Sequence, residues 1–489
     1  MNLADSLAHH VTARPDRPAL IEGERVILYR DLDGKVRRWA AHLRALGVRQ
    51  GDVLGIALHD RIEHVLALYA AARMGAIALP MDWRWTETEK SIVARHFRAA
   101  ATLVESDSAG FDGPRAIVVD DAFTAATEHA QGDEEFPSGD AARDMPLLMS
   151  LSSGTTGRPK GPVLTHHQFL RRFWTHWIDL GLNSREVFVS ATPMYFGGGR
   201  TFAMSLLFSG GTVCLFPPPF KPADLVAEVA LRSATSAFLV PTQLRRLLEL
   251  SDDAAAPLRA MRLLLSSGAP LTPFERRGLR DRLCAGFHEY YASTEGGGIS
   301  LLRPEDLDAH PDSVGRPVFG VEVAVFDDDG VRLPLGSVGR LAYRGPGVAR
   351  GFFDDPEADA ETFVNGFFFP GDLGVVDESG FVALRGRRKD MIIRGGINIY
   401  PMEIESILLG HGSVAEAAVV GWPSRDLGEE VAAFVLPRGA ADPDALRALC
   451  AARLAPYKVP RAVIITDDLP RNSSGKVLKA ALVARLQPL

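Results

Sequence analysis

The chain has 489 residues, of which 46% are hydrophobic and 24% charged, and its formal net charge is −7. This is the composition of a globular protein of about two to four domains, and its negative charge argues against a nucleic-acid or anionic-membrane partner. The three cysteines, Cys214, Cys284 and Cys450, lie far apart without a CxxC pair, which argues against a disulfide framework or a zinc site. The N-terminus has no basic segment followed by an apolar one, and no apolar run approaches about 18 residues. We therefore expect a cytoplasmic protein without membrane insertion.

Short apolar runs alternate with helix-like segments from about residue 35 to residue 300. The runs are 53–58, 76–79, 102–104, 187–190, 212–216, 237–240 and 263–268. Strands that are apolar throughout and separated by helices are typical of parallel sheets covered on both faces. We therefore predict an α/β fold with a large N-terminal domain of doubly wound, mostly parallel sheets. Ligands in such folds bind at the carboxyl ends of the strands.

A small, hydroxylated and glycine-rich segment at 152–161, Ser-Ser-Gly-Thr-Thr-Gly-Arg-Pro-Lys-Gly, follows the apolar run 146–151. Glycines allow backbone N–H groups to face an anion, while hydroxyls and a lysine add donors and charge. The segment thus predicts a phosphate-binding loop; the alternative is a flexible surface linker. It is not a Walker loop, because Gly154 and Gly157 are not followed by Gly-Lys-Ser/Thr and Pro159 removes a backbone donor.

After about residue 312 the predicted elements change from alternating strands and helices to short strands and turns. The run 321–326 is followed by Asp-Asp-Asp-Gly at 327–330, which predicts a hairpin and a small antiparallel sheet or β-barrel-like subdomain. The segment 386–401 is rich in charge and glycine, and a compact alternation of helix and strand follows it. We place a domain boundary there, giving an N-terminal domain at 1–388 and a smaller, mobile α+β C-terminal domain at 389–489.

Five stretches, in order, resemble motifs of the adenylate-forming superfamily, which contains acyl- and aryl-CoA synthetases, adenylation domains of peptide synthetases, and luciferases. They are 152–161, 291–295, 371–372, 386–401 with Glu403 and Glu405, and 470–476. The pattern is closest to that of acyl/aryl-CoA synthetases. The resemblance implies an acid–thiol ligase in which a carboxylate attacks the α-phosphate of ATP, pyrophosphate leaves, and a thiol then displaces AMP.

The resemblance also implies the residues that bind the nucleotide. They are Ser152, Ser153, Gly154, Thr155, Thr156, Gly157, Lys160, Ser267, Gly268, Ala269, Tyr291, Ala292, Ser293, Asp372 and Arg387. Tyr291 would stack on adenine, and Asp372 would accept hydrogen bonds from both ribose hydroxyls, since a carboxylate has two acceptor oxygens. For these two residues, core packing and an ordinary Gly-Asp turn are the alternatives.

Lys476, Glu295 and Thr294 are the catalytic residues that the resemblance implies. Glu295 and Thr155 would be ligands of Mg²⁺, which prefers oxygen ligands and keeps several waters. Lys476 would stabilise the charge that gathers at the α-phosphate in the transition state. The alternatives are a solvated loop acid for Glu295 and a surface lysine for Lys476.

The C-terminal domain of the family rotates between the two half-reactions. Lys389 stands at the hinge position, and Gly395, Gly396 and Asn398 would arrive beside the thiol tunnel. A hinge must absorb backbone torsion, and the charged neighbours of Lys389 can stay solvated during such a motion.

The acid pocket departs from its relatives, since Phe196 stands where many of them carry histidine. The candidate pocket residues are Phe196, Gly198, Arg200, Ser267, Tyr290 and Gly297. The glycines at 197–199 and 296–298 either leave room for a bulky or flat acyl group or permit close packing of helix on sheet. Arg200 either pairs with a second carboxylate or opens a helix and faces solvent or a backbone carbonyl. The aspartate that anchors an amino group is not visible, which favours an aromatic or medium-chain acid without an α-amino group.

Free CoA is the favoured thiol acceptor, because no carrier domain is fused to the two predicted domains. The runner-up is a stand-alone ligase that loads a carrier protein through its phosphopantetheine arm. A third hypothesis, from outside the enzymes, is a non-catalytic protein that binds an acyl-nucleotide. The presence of Lys476, Glu295 and Asp372 argues against it. The cofactors expected are ATP and Mg²⁺, with CoA or the carrier's phosphopantetheine, and the sequence leaves a homodimer open.

Overall fold

The computed structural model of the protein describes residues 1–108, 110–132, 135–151, 160–471 and 477–487. Within these ranges the strands form four sheets of nine, six, six and five strands. The strands are β1 (Pro18–Glu22), β2 (Arg25–Leu28), β3 (Val53–Ala57), β4 (Ile77–Pro80), β5 (Ala99–Val104), β6 (Ala116–Val118), β7 (Pro146–Met149), β8 (Val163–Thr165), β9 (Val187–Ser190), β10 (Thr212–Leu215), β11 (Ser236–Leu239), β12 (Leu263–Ser266), β13 (Phe287–Ser293), β14 (Gly297–Leu302), β15 (Arg316–Pro317), β16 (Glu322–Phe326), β17 (Gly339–Arg344), β18 (Phe363–Val364), β19 (Phe367–Phe368), β20 (Asp372–Val376), β21 (Val382–Arg387), β22 (Ile392–Arg394), β23 (Ile397–Ile399), β24 (Val414–Ser424), β25 (Gly428–Pro437) and β26 (Ala462–Ile465).

Helices cover the sheets and link most of the parallel strands. They are α1 (Asp5–Ala13), α2 (Tyr29–Ala45), α3 (Ile62–Met74), α4 (Glu87–His96), α5 (Asp121–His129), α6 (His166–Trp174), α7 (Gly197–Ser209), α8 (Pro222–Arg232), α9 (Pro241–Leu248), α10 (Pro273–Gly278), α11 (Pro356–Thr362), α12 (Pro401–Leu409), α13 (Pro443–Arg453) and α14 (Lys479–Val483). Local sequence fixes several ends. Thr165 and Gln168 form a capping box that begins α6, and Gly210, in the left-handed conformation, ends α7.

The two large sheets confirm the predicted doubly wound, mostly parallel architecture. The nine-stranded sheet has the order β15-β14-β13-β12-β11-β9-β10-β1-β2 and is parallel from β13 to β1. The N-terminal six-stranded sheet has the order β6-β5-β3-β4-β7-β8 and is parallel except at β7–β8. Every residue of β3, β10, β11 and β12 is buried, as expected of strands with helices on both faces. Consequently the segments after β7, β9, β12 and β13 leave from carboxyl ends of parallel strands.

A smaller antiparallel sheet follows, with the order β18-β19-β17-β20-β21 and β16 on the other edge of β17. The hairpin predicted after β16 is present: Phe326 pairs with Arg332 across the 327–330 turn, and the Asp327 N–H donates to the Val331 carbonyl at 3.0 Å. This sheet packs its own hydrophobic cluster around Tyr343 and Phe368.

The C-terminal sheet has the order β23-β22-β25-β24, with β26 parallel to β25. Its hydrophobic clusters consist of side chains from Ile392 onward. Lys389 lies between this sheet and the antiparallel one, exposed in a single 3₁₀ turn, Arg388–Asp390. The domain boundary at 388/389 stays a prediction.

None of the helices in the described ranges combines the length and apolar character needed to span a membrane. Cys214, Cys284 and Cys450 are buried free thiols. Burial raises the pKa of Cys214 to about 12, so this thiol stays protonated.

Gly286, which leads into β13, provides a test of the packing between β12 and β13. A Cβ atom there would lie 1.9 Å from the Arg262 carbonyl oxygen, so Gly286→Ala must displace backbone. We expect the free energy of unfolding to fall by about 1–3 kcal/mol or more, measured from the urea midpoint. Gly412→Ala is the matched control, because its Cβ would have no atom within 4 Å. Equal midpoints for the two variants would contradict this packing.

Candidate functional site

The turn between β13 and β14 presents Thr294 and Glu295 at the carboxyl end of a parallel strand. The Gly296 N–H donates to Ser293 Oγ at 2.9 Å, and the Ser293 hydroxyl shares a hydrogen bond with the Tyr343 hydroxyl. Tyr343 belongs to β17 and is fully buried. The antiparallel sheet therefore supports this turn from outside the strand that carries it.

A buried guanidinium holds the same turn from the other side. Arg172 of α6 donates from Nη1 to the Thr294 carbonyl at 3.1 Å, from Nη2 to the Glu295 carbonyl at 2.6 Å, and from Nε to the Gly347 carbonyl at 2.9 Å. The Ala349 N–H also donates to the Glu295 carbonyl at 2.8 Å. Desolvation lowers the pKa of Arg172 to about 10, although nearby Tyr343 and Glu295 act in the opposite direction. Arg172 stays charged at neutral pH.

The carboxylate of Glu295 is left without a partner while its backbone is fixed. Among the residues that the structure describes, no side chain or N–H group hydrogen-bonds or ion-pairs with it. Nor does the described chain place three or more His, Cys, Asp or Glu side chains together as a metal site. A free carboxylate suits Mg²⁺, which binds proteins through one or two carboxylates and completes its shell with water and substrate oxygens. Glu295 therefore fits a metal that arrives with a phosphate ligand.

Asp372, Tyr291 and Arg387 form one hydrogen-bonded group. Asp372 and Arg387 lie opposite each other on β20 and β21, and Arg387 Nε is 2.7 Å from Asp372 Oδ1. The Tyr291 hydroxyl donates to Asp372 Oδ2, and Arg387 Nη1 donates to the Pro370 carbonyl at 2.6 Å. Burial and the nearby Asp372 carboxylate hold the pKa of Tyr291 well above its ordinary value, so it remains a donor. A carboxylate has two acceptor oxygens, the number that the two hydroxyls of a vicinal diol require.

The segment 267–269 follows the last residue of β12 that pairs with β13. Ser266 pairs with Glu289 in parallel register, so Ser267, Gly268 and Ala269 leave β12 from its carboxyl end, next to the strand that carries Tyr291. Ser267 is buried, whereas Gly268, at φ 100°, and Ala269 are exposed. A left-handed glycine here allows the chain to turn away from the strand end.

The predicted phosphate-loop residues Ser152, Ser153, Gly154, Thr155, Thr156 and Gly157 lie outside the described residues, as does Lys476. The structure describes both flanks of the loop. Lys160 Nζ lies 5.2 Å from the centre of the Phe352 ring, and Pro162 pairs with Phe352 as an antiparallel bridge. The flank that precedes the loop therefore follows β7, and the flank after it lies beside the segment that follows β17.

The room predicted beside the glycines is filled, which corrects that expectation for Gly198 and Gly297. A Cβ atom at Gly198 would lie 2.5 Å from the Phe238 ring, and one at Gly297 would lie 3.0 Å from Arg172 Cδ at a φ of 75°. At the neighbouring Gly298, a Cβ atom would meet the Tyr290 hydroxyl at 1.7 Å. These glycines permit close packing, the second alternative; Gly197, by contrast, has open space around it.

Tyr290 and Phe196 occupy different surroundings. Tyr290 is buried and its hydroxyl donates to Thr175 Oγ1 at 3.2 Å, so that hydroxyl already has a partner. Phe196 precedes α7, is partly exposed, and its ring centre lies 4.5 Å from that of Tyr195. Of the two, Phe196 is the side chain more open to a substrate.

Arg200 is 1% exposed and therefore does not face solvent, one of the alternatives considered for it. Its Nη1 donates to the carbonyls of Met194 and Tyr195 at 3.0 and 2.9 Å, and its Nη2 donates to Ser150 Oγ. Burial lowers its pKa to about 9, with a smaller contribution from nearby Arg172. Arg200 thus ties the segment before α7 to the residues that precede the candidate phosphate loop.

The remaining predicted residues lie in the C-terminal part of the chain. Gly395 and Gly396 form the turn between β22 and β23, at φ 55° and 82°, and Asn398 is exposed on β23. The Gly395 N–H donates to the Leu427 carbonyl at 2.8 Å. The turn is therefore a glycine-dependent hairpin anchored to the start of β25.

Sequence reasoning missed Arg172 and Tyr343. One signal was available for Arg172. It shares the buried phase of α6 with Phe169 and Phe173, and a cation at an apolar helical phase needs a specific partner. Tyr343 offers no such signal, because a buried tyrosine on a strand is ordinary.

Comparisons with known proteins cover nearly the whole chain. The profile of "AMP-binding enzyme" matches residues 7–353, and that of "AMP-binding enzyme C-terminal domain" matches residues 403–476. A 2-succinylbenzoate–CoA ligase of Geobacillus kaustophilus is 30% identical over 478 residues, covering 96% of this chain and 95% of that protein. ATP-bound MatB from Rhodopseudomonas palustris superposes with a TM-score of 0.89 at 30% identity, covering 99% of both chains. O-succinylbenzoate coenzyme A synthetase (MenE) from Bacillus subtilis, in complex with ATP and magnesium ion, has a TM-score of 0.88 at 28% identity, covering 98% of this chain and 99% of that one.

The contacts of Arg200 lead to a stability prediction. Arg200→Met would leave the Met194 and Tyr195 carbonyls and Ser150 Oγ without their donor, at about 1–3 kcal/mol for each buried group left unsatisfied. We expect a clear drop in the urea midpoint. The control, Arg30→Met, removes an exposed arginine whose ion pair with Asp16 is worth about 0–1 kcal/mol. Similar midpoints for both variants would refute the anchoring role.

Proposed function

The chain belongs to the AMP-binding enzyme family, and from that membership we propose how its site residues divide the work of an acid–thiol ligase. The protein is an AMP-forming ligase: it activates a carboxylic acid with ATP to an acyl-adenylate, releases pyrophosphate, and transfers the acyl group to the thiol of CoA with release of AMP. ATP and Mg²⁺ take part in the first step. The assignments below concern which residues perform each task.

The observation that carries the nucleotide assignment is the group formed by Asp372, Tyr291 and Arg387. Asp372 holds the ribose by accepting hydrogen bonds from its two hydroxyls. Tyr291 and Arg387 fix the carboxylate, and the Tyr291 ring presents a face to adenine. Ser267 to Ala269, which leave the carboxyl end of the neighbouring strand β12, border the other face of the base.

The polyphosphate is assigned to the loop 152–157 and Lys160, with Glu295 as the protein carboxylate on Mg²⁺. Thr155 and Thr294 supply hydroxyl groups near the metal. Bound Mg²⁺ would neutralise charge on the phosphates and help orient them for in-line displacement. The free Glu295 carboxylate supports this assignment, whereas the loop residues enter on their motif alone.

Lys476 is assigned to the charge that develops at the α-phosphate. An ammonium that reaches these oxygens only after domain closure stabilises the transition state more than the ground state. Lys389 is the proposed hinge, and rotation about it exchanges Lys476 for the hairpin that holds Gly395, Gly396 and Asn398, beside the thiol. The exposure of the 3₁₀ turn at Lys389 supports this, since its side chains can stay solvated during rotation.

For the acid, we favour an aromatic or medium-chain carboxylic acid without an α-amino group, bound near Phe196. The relatives named for 2-succinylbenzoate, an aromatic acid, support this class. Arg200 acts by holding the Met194 and Tyr195 carbonyls rather than as the receptor of a second carboxylate. A carrier protein in place of CoA, a homodimer, and a cytoplasmic location remain predictions.

The function is tested with a panel of acids, including 2-succinylbenzoate and an α-amino acid, in a pyrophosphate-release assay run with and without CoA. We expect sustained release that needs CoA and one of the non-amino acids, because the acyl-adenylate must be discharged before the next turnover. A single burst unaffected by CoA would favour a carrier ligase.

The ribose assignment is tested with Asp372→Asn, which removes one negative charge at the ribose and should raise the KM for ATP by at least about tenfold. An unchanged KM for ATP in this variant would contradict the ribose assignment.

Lys476→Ala separates the two half-reactions. We expect adenylation to slow by at least about 10²-fold, the effect of losing one preorganised donor, while thioester formation from supplied acyl-adenylate survives. Rapid-quench measurement of each half-reaction provides the comparison. Equal losses in both would contradict the assignment of Lys476 to the α-phosphate.

A further inference from the structure

Arg172 is a buried cation whose partners, among the residues that the structure describes, are carbonyl oxygens. Its side chain makes no ion pair with a carboxylate in the part of the chain that the structure describes, and three of its N–H groups point at carbonyls of two distant segments. Burying a guanidinium without a counter-ion is expensive, so a role in packing alone would be served better by an apolar residue of similar size. The free-energy cost of burying Arg172 therefore indicates that the protein needs these particular carbonyl groups to be held in place.

The carbonyls that Arg172 binds belong to the turn that carries Glu295. Two groups donate to the Glu295 carbonyl, Arg172 Nη2 at 2.6 Å and the Ala349 N–H at 2.8 Å. Arg172 Nη1 donates to the carbonyl of the preceding residue, Thr294. Because Arg172 also binds the Gly347 carbonyl, it joins this turn to the segment that supplies the Ala349 N–H. The backbone of Glu295 is thus held at both of its neighbouring peptide groups, and its carboxylate is left free.

We propose that Arg172 is a positioning residue that aims the Glu295 carboxylate at the magnesium ion of Mg–ATP, an inference that rests on the proposed role of Glu295. A metal ligand must be held to within about 0.5 Å, and residues that orient ligands from behind typically change metal affinity or activity by about 10–100-fold when removed. Arg172 reaches the metal site only through the backbone of the residue that binds it.

Lysine cannot replace the guanidinium fully. An ammonium is a point charge on a flexible stem, whereas Arg172 uses a planar fork to reach the carbonyls of Thr294, Glu295 and Gly347 at once. Arg172→Lys should therefore keep the buried charge and some of these contacts but hold the turn less rigidly. It distinguishes the need for charge from the need for geometry.

The test is a magnesium titration of pyrophosphate release at saturating acid and a fixed concentration of ATP. We expect Arg172→Met to raise the Mg²⁺ concentration for half-maximal rate by about 10–100-fold, and Arg172→Lys to fall between it and the wild type. The matched control is Arg171→Met, because Arg171 is the adjacent arginine of α6 and its guanidinium stacks on Trp174 at 3.7 Å rather than on the site. It should leave the magnesium requirement unchanged.

A double-mutant cycle with Glu295→Gln separates failure of this inference from failure of the metal assignment. If Arg172 acts through Glu295, the variant with both changes has the same magnesium requirement as Glu295→Gln alone. A wild-type magnesium requirement in Glu295→Gln would overturn the role of Glu295 itself. If Glu295→Gln raises the requirement but the Arg172 variants lower only the melting temperature, Arg172 is structural and the proposal is wrong; Arg172→Lys decides this point where Arg172→Met does not fold.

Discussion

Backbone pairing between two segments distant in sequence holds the architecture of the site together. The Val163 N–H donates to the Gly351 carbonyl at 3.1 Å, and the Phe353 N–H donates to the Gly161 carbonyl at 2.9 Å. This pairing fastens the chain just after the candidate phosphate loop to the chain that leaves the antiparallel sheet. The same outgoing chain supplies the support for Glu295 a few residues earlier. Metal and phosphate assignments therefore fall on one connected stretch of hydrogen-bonded backbone.

Polar groups at the site fall into two kinds. Asp372 has both carboxylate oxygens engaged by protein donors, so its orientation is set before a ligand arrives. Glu295 has the opposite arrangement, with its carbonyl bound twice and its carboxylate unpartnered within the described residues. The first arrangement suits recognition of a neutral diol. The second suits a cation, which must displace no protein donor in order to bind.

The sequence predicted the parallel sheets because strands buried on both faces must be apolar throughout, and such runs are visible without a structure. It predicted the hairpin after β16 because aspartate and glycine favour tight turns, and Asp-Asp-Asp-Gly stands between two strand-like segments. The packing around Gly198 could not be predicted from the sequence, because the ring that fills that space belongs to Phe238, forty residues away. Arg172 was hidden for the same reason: the helical phase shows that it is buried, but its carbonyl partners lie in two other parts of the chain.

Arg172 and Arg200 keep positive charge in the interior of an acidic protein. Each is buried and charged, each binds carbonyl or hydroxyl oxygens, and neither forms an ion pair with a side-chain carboxylate in the described ranges. Hydrogen bonds to carbonyls satisfy the N–H groups without cancelling the charge, and a low-dielectric surrounding screens that charge weakly. The net charge of −7 is a property of the whole chain, whereas the potential around each buried cation depends on the charges beside it, and the Glu295 carboxylate is one of those that act on Arg172. A carboxylate partner for either one would have fixed its geometry equally well, and it would have lowered the cost of burial through charge pairing, so the carbonyl contacts indicate that the orientation of those backbone segments is what each arginine controls.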